Sequence, residues 1–117
     1  MSKILKLTEA NFHDEVCHHD GPTVVTFGWS GCGPCRTQAK FLELLAGEGV
    51  KVGKVDITED PDIATHFNIN TVPTTVFIAR GEPRIAYKGV LTLDGLRKEL
   101  AEAVADGEKA PADHAHA

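Results

Sequence analysis

Cys32-Gly33-Pro34-Cys35 sets two thiols three positions apart at what reads as the mouth of a helix. A pair so spaced can close into a disulfide and reopen, which is redox chemistry. On one helical face the two Cβ atoms lie about 5–6 Å apart, and a small adjustment reaches the ~5.5–6 Å Cα separation that a disulfide prefers. Neither cysteine needs a distant partner. Pro34 has no N–H to leave unbonded and its fixed φ suits a first helical turn, while Gly33 lets another backbone come close. With Cys32 just ahead of the helix, the free N–H groups and the positive end of the dipole favour its thiolate and move its pKa below the free value of about 8.5. Cys32 is therefore the expected nucleophile and Cys35 the resolving thiol.

Such a pair needs a strand to deliver it and a helix to carry it. Thr23-Val24-Val25-Thr26-Phe27 is rich in β-branched residues and reads as a buried strand ending where the loop Trp29 to Pro34 begins, at the end where open α/β sheets place their sites. Beyond Pro34, Ala39, Leu42, Leu45 and Ala46 recur at helical spacing opposite Arg36, Lys40 and Glu43, until Gly47 and Gly49 stop the helix. Upstream, Ile4-Leu5-Lys6-Leu7 predicts a first strand, and Thr8 predicts the N-cap of a helix from Glu9 towards His19. Downstream, Val50 to Ile57 predicts a strand, with Asp60-Pro61 opening a short helix to about Phe67. Thr74 to Ile78, the turn Arg80-Gly81-Glu82-Pro83 and Arg84 to Tyr87 predict an antiparallel hairpin. Thr92 predicts the cap of a last helix with Leu93, Leu96, Leu100, Ala103 and Val104 on one stripe. The order β-α-β-α-β-α-β-β-α implies an α/β fold, a central mixed sheet of five strands with helices on both faces.

A chain of 117 residues, 42% hydrophobic, suits one domain, expected over 1–106 with a tail at 107–117, and a monomer. Met1-Ser2-Lys3-Ile4 lacks the regions of a signal peptide and no apolar run is long enough for a membrane span, so a cytoplasmic protein is expected. A formal charge of −5, with scattered basic residues, argues against nucleic acid as a partner. Three cysteines, an odd number without an export signal, point to a transient catalytic disulfide rather than a structural framework.

Taken together, Cys32-Gly33-Pro34-Cys35 after a Val-Val-Thr-Phe strand, Lys54-Val55-Asp56-Ile57, Val72-Pro73-Thr74-Thr75 and Gly89 after the hairpin resemble the thioredoxin family over roughly Lys3 to Ala105. The resemblance implies a thioredoxin fold and a protein-disulfide reductase that needs no metal or organic cofactor. Its partners are then protein disulfides and an upstream reductase, of which a flavin- and NADPH-dependent thioredoxin reductase is one form. It implies that Pro73 is a cis-proline facing the cysteines, with Val72 offering main-chain groups to an extended substrate. Gly89 either lines the same groove or is an ordinary turn glycine.

The chain departs from the family pattern in three respects. The buried aspartate six residues before the first cysteine is Thr26, whose hydroxyl cannot take up the resolving thiol's proton at neutral pH, while its lysine partner remains as Lys54. Lys54 must then reach water, find an acceptor such as Asp56, or carry a depressed pKa. The Phe-Trp-Ala-x-Trp approach is replaced by Phe27-Gly28-Trp29-Ser30-Gly31, so the surface beside Cys32 is flatter, and Trp29 either packs near the site or sits in the core. The proline five residues after the second cysteine is Lys40, which removes the usual cause of a helix kink.

Other readings stand beside this one. A zinc site would draw on Cys32, Cys35, Cys17 and His18 or His19, but Cys17 falls on a different element and reads more simply as a small core-facing residue. His114 and His116 in the tail suggest at most weak metal binding. An adaptor that uses the same surface with little catalysis, or an oxidant or isomerase, would share most of these residues, because the direction of electron flow depends on the reduction potential.

Overall fold

The computed structural model describes residues 3–109, and its frame is a five-stranded sheet in the order β1-β3-β2-β4-β5. Strand β2 (Thr23–Gly28) lies at its centre. It runs parallel to β3 (Lys51–Asp56), with Val24 opposite Val52 and Thr26 opposite Lys54. On its other edge it is antiparallel to β4 (Thr74–Ala79), with Val24 opposite Phe77 and Thr26 opposite Thr75. Two-residue β1 (Leu5–Lys6) closes one edge parallel to β3, and β5 (Glu82–Lys88) closes the other antiparallel to β4. Because side chains alternate between faces, each strand feeds two cores. Val24, Val52 and Phe77 pack with Leu42, Leu45 and Ala46 of α1 (Gly33–Gly47) and with Leu96 and Ala103 of α3 (Leu93–Lys109). Val25, Phe27, Val55, Val76 and Ile78 pack with Val16 and with Ile63 and Ala64 of α2 (Pro61–His66).

The expected mixed sheet with helices on both faces is present, and its local details correct several expectations. No helix runs from Glu9 to His19. The Asn11 side chain accepts from the Thr8 N–H at 2.7 Å and donates to the Lys6 carbonyl at 3.0 Å, holding a turn, and only a π-helical turn, His13–Cys17, follows. A local amide bonding the backbone in this way competes with helix formation. Within that turn only Val16 is buried, so Cys17 faces outward, exposed and free, rather than inward. Asp60 does not cap α2 with its side chain; its carboxylate accepts from the distant Glu9 N–H at 3.1 Å. The β4–β5 turn is only Arg80-Gly81, both with positive φ (55° and 74°), so β5 starts at Glu82 and takes in Pro83, which an edge strand with a bulge tolerates.

Thr92 does cap α3, accepting from the Gly95 N–H at 3.2 Å. That helix continues past Asp106 to Lys109, because Asp106 pairs with Arg84 of β5 at 3.5 Å and Gly107 packs against Ala79. The remainder of the expected tail, with His114 and His116, lies outside the described residues, as does Met1-Ser2. Without the proline, α1 runs unbroken through Lys40.

One polar contact ties α1 to the segment before α3. Gln38 is fully buried; its amide donates to the Leu91 carbonyl at 3.0 Å and accepts from the Leu91 N–H at 2.7 Å. Gln38→Leu leaves two buried backbone groups unpaired, and urea unfolding should show a loss of about 2–4 kcal/mol. At the end of β3, Asp56 accepts from the Thr58 hydroxyl and from the Thr58 and Glu59 N–H groups at 2.8 and 3.3 Å. The Thr58 hydroxyl is the main cause holding the Asp56 carboxyl below its ordinary value. Its contribution to stability is therefore complete above the unfolded-state value of about 3.9 and fades as pH falls through the lower native value. Urea midpoints of the native protein and Asp56→Asn should differ at pH 7 and converge on acidification.

Candidate functional site

The strand register gathers the chemistry at one edge of the sheet. Phe27 faces Thr74, Thr74 faces Lys88, and Gly28 faces Asp56. The loop leaving β2, the segment entering β4, the residue after β5 and the turn after β3 therefore meet at that edge. This places Trp29 to Cys35, Val72-Pro73, Gly89 and Asp56 to Glu59 on common ground. The Val72–Pro73 peptide is cis, and the Gly89 N–H donates to the Pro73 carbonyl at 2.8 Å, joining the two segments. Gly89 holds φ +109°, a conformation that a side chain disfavours, with nothing packed tightly against it.

Cys32 is the N-cap of α1, with extended φ −97° and ψ 112°, and Pro34 lies in the first turn. Its sulfur accepts from the Cys35 N–H at 3.1 Å, so one of the orphan amides of the helix end points at it. Cys32 and Cys35 are joined in a disulfide with a Cα separation of 5.2 Å. Gly33 and Pro34 are exposed beside them. Cys32 itself is only 8% exposed, and Cys35 is the more open of the two.

The placement of the Cys35 sulfur depends on Gly28. A Cβ on Gly28 would lie 2.7 Å from the Cys35 sulfur, so only glycine lets that sulfur rest against the strand. Next to it is a half-enclosed cavity of about 350 Å3 bordered by Cys35, Thr26, Gly28, Trp29, Ala39 and Lys54, among others. Arg36, Lys6, Asp56 and Glu59 complete the charged part of its wall. Thr26 is half-buried there, and its cross-strand neighbour Thr75 is fully buried with a hydroxyl that has no hydrogen-bond partner among the described residues.

Lys54 extends to water. No ion pair joins it to Asp56, whose carboxylate is taken up by Thr58 and Glu59. Trp29 is 45% exposed, which places it at the site rather than in the core. Its ring lies where a side chain at Gly31 would be, so it covers the position left vacant beside Cys32.

Sequence reasoning did not single out Gly28, Ala39, Arg36, Lys6 or Glu59 as part of this site. Gly28 carried the one available signal, since a glycine inside a strand marks a close approach. Cys17 lies at the opposite end of β2 from the disulfide, beside a hollow of about 720 Å3 between His18-His19 and α3. Among the described residues no three His, Cys, Asp or Glu side chains are grouped to hold a metal.

The family model for thioredoxin matches residues 3–102. The chain is 31% identical to the thioredoxin of Mycobacterium tuberculosis over 106 residues, covering 88% of this chain and 91% of that one. It is 33% identical to the thioredoxin of Alicyclobacillus acidocaldarius over 101 residues, covering 84% and 95%. The solved structure of chloroplastic thioredoxin z superposes with a TM-score of 0.79 at 29% identity, covering 90% of this chain and 97% of that one. With a motif-bearing helix cap, a closed cysteine pair and a family match across the whole sheet, the chain belongs to the thioredoxin family of thiol–disulfide oxidoreductases.

Proposed function

We propose that this protein reduces protein disulfides, with Cys32 as nucleophile and Cys35 as resolving thiol. The observation that carries the assignment is the Cys35 N–H directed at the Cys32 sulfur from the N-terminus of α1, which favours negative charge on that sulfur. In the dithiol state the Cys32 thiolate attacks a substrate disulfide and expels one substrate thiolate. Cys35 then attacks the Cys32 sulfur, expelling the second and restoring the internal bond. The substrate lies along Val72 by main-chain pairing, against Gly33, Pro34 and Gly89, with the Trp29 ring at the edge of the contact. Thr26 and Lys54 act from beneath the pair.

The upstream donor in this reading is a thioredoxin reductase, of which a flavin- and NADPH-dependent enzyme is one form. In support, a Mycobacterium leprae protein named bifunctional thioredoxin reductase/thioredoxin is 29% identical over 103 residues. The protein acts as a cytoplasmic monomer that binds neither nucleic acid nor membrane, a reading supported by the charge of −5 and the cysteine usage. No described helix is long and apolar enough to cross a membrane. The pair works without a metal or organic cofactor.

Cys32→Ser should abolish reduction of a protein disulfide, whereas Cys35→Ser should accumulate a stable mixed disulfide with the substrate; the opposite pattern would reverse the two roles. Thr26→Asp supplies the missing proton acceptor. It should raise turnover near neutral pH by roughly three- to tenfold and lower stability by about 1–2 kcal/mol, read from steady-state rates and urea midpoints.

A further inference from the structure

Most of the sheet face beneath α1 is apolar, and one row across it is not. The strand registers set Val52, Val24, Phe77 and Ile85 side by side, a row of the core shared with α1 and α3. Two residues nearer the disulfide the same registers set Lys54, Thr26, Thr75 and Tyr87 side by side, and alternation keeps them on the same face. The outer members, Lys54 and Tyr87, are exposed, Thr26 is half-buried and Thr75 is fully buried. The Thr75 hydroxyl has no hydrogen-bond partner among the described residues, whereas that of its neighbour Thr74 donates to the Thr71 carbonyl at 2.6 Å. A valine would fill the same volume without burying a hydroxyl. Buried hydroxyls are as a rule bonded to protein or to ordered water, and water is what is left to this one. Beside it, Thr26 borders the cavity of about 350 Å3 that Cys35 also borders, with room for several waters at roughly 30 Å3 each. Directly opposed residues of an antiparallel pair have Cβ atoms about 4.5–5.5 Å apart, a gap that one water bridges. Gly28, against which the Cys35 sulfur rests, is the next position of this face on β2.

We propose that Thr75 and Thr26 hold a water against the Cys35 sulfur, and that Thr75, acting through this water, is a positioning residue for the resolving step. The proposal rests on the redox reading of the pair given above. The water accepts from the Thr75 hydroxyl and donates its two hydrogens to Thr26 Oγ1 and to the sulfur. A donor aimed at the sulfur favours thiolate over thiol, and a water that is itself accepting a hydrogen bond is the stronger donor for it. In the mixed disulfide, Cys35 gives its proton to solvent and its thiolate attacks the Cys32 sulfur. The bond from Cys32 to the substrate sulfur breaks, and its electron pair leaves with the substrate thiolate, which takes up a proton from solvent. The hydroxyls bond the thiolate without storing its proton, so they perform one part of what a carboxylate at position 26 would do and leave the other to solvent.

The test uses the reduced full-length protein with exposed Cys17 replaced by Ser. Mixed with an excess of a coloured aromatic disulfide, it releases one aromatic thiolate when Cys32 attacks and a second when Cys35 resolves, and stopped-flow absorbance follows both across a range of pH. Thr75→Val should slow the second release about threefold or more near neutral pH and move its midpoint up by about half a pH unit to one unit, converging with the parent at high pH, where Cys35 is already ionised. Thr75→Ser keeps the hydroxyl and should restore the parent profile. Titration of the Cys35 thiolate by its ultraviolet absorbance, with Cys32 also replaced by Ser, should show the same upward shift. The charged groups facing Cys35 are Lys6 from β1, Lys54 and Asp56 from β3, Glu59 from the turn after β3 and Arg36 from its own helix, and all are common to the variants compared. A profile and a titration that Thr75→Val leaves unmoved, with a raised urea midpoint, would show a hydroxyl that is merely buried and would overturn the proposal while leaving the redox couple intact. Absence of any second release, with no internal disulfide formed, would overturn the underlying reading as well.

Discussion

Strand β2 is paired on both edges, parallel to β3 over Thr23–Gly28 and antiparallel to β4 over Thr23–Phe27, and the placement of the site follows from that register. A parallel neighbour sends its carboxyl end to the same side as β2, and an antiparallel neighbour sends its amino end there. The cysteine loop, the Val72-Pro73 segment and the turn after β3 therefore meet at one edge without any contact designed among them. A slip of one residue would turn Val24 and Thr26 to the opposite face and dismantle both cores together. The site is thus as stable as the sheet that places it, and Gln38, reaching from α1 to Leu91, fixes the cysteine helix to the segment that leads into α3.

Beneath the disulfide, three substitutions act as a set. Thr26 removes a carboxyl, Gly28 removes a side chain against Cys35, and Gly31 removes the ring beside Cys32. The first two both border the cavity, where a buried acid at position 26 would carry a desolvation penalty, and Lys54 is exposed rather than paired with such an acid. The third is offset by Trp29, whose ring swings over the gap.

How much of this was legible residue by residue depended on range. Thr92 capping α3, Pro34 opening α1 and the β-branched run of β2 were readable because each is decided within a few residues of chain. The helix expected from Glu9 failed because the Asn11 side chain holds a turn that propensity does not register. The Asp60 cap failed because its carboxylate is claimed by Glu9, remote in sequence and adjacent in space. Gln38 is polar yet buried, and its partner Leu91 lies 53 residues away, beyond the reach of any local pattern.

The sequence by itself determined the chemistry: two thiols at the start of a helix, a proline to seat the first turn, a threonine where the family places an acid, and strands and helices in an order that leaves few topologies. These are local matters of spacing, side-chain type and backbone freedom. Only the tertiary structure decided which cysteine residue is the more exposed, where Trp29 lies, that Lys54 is exposed, and that a cavity lies beside Cys35. Those depend on which surfaces are brought face to face, and in a folded chain that is set by elements distant in sequence whose packing no local pattern records.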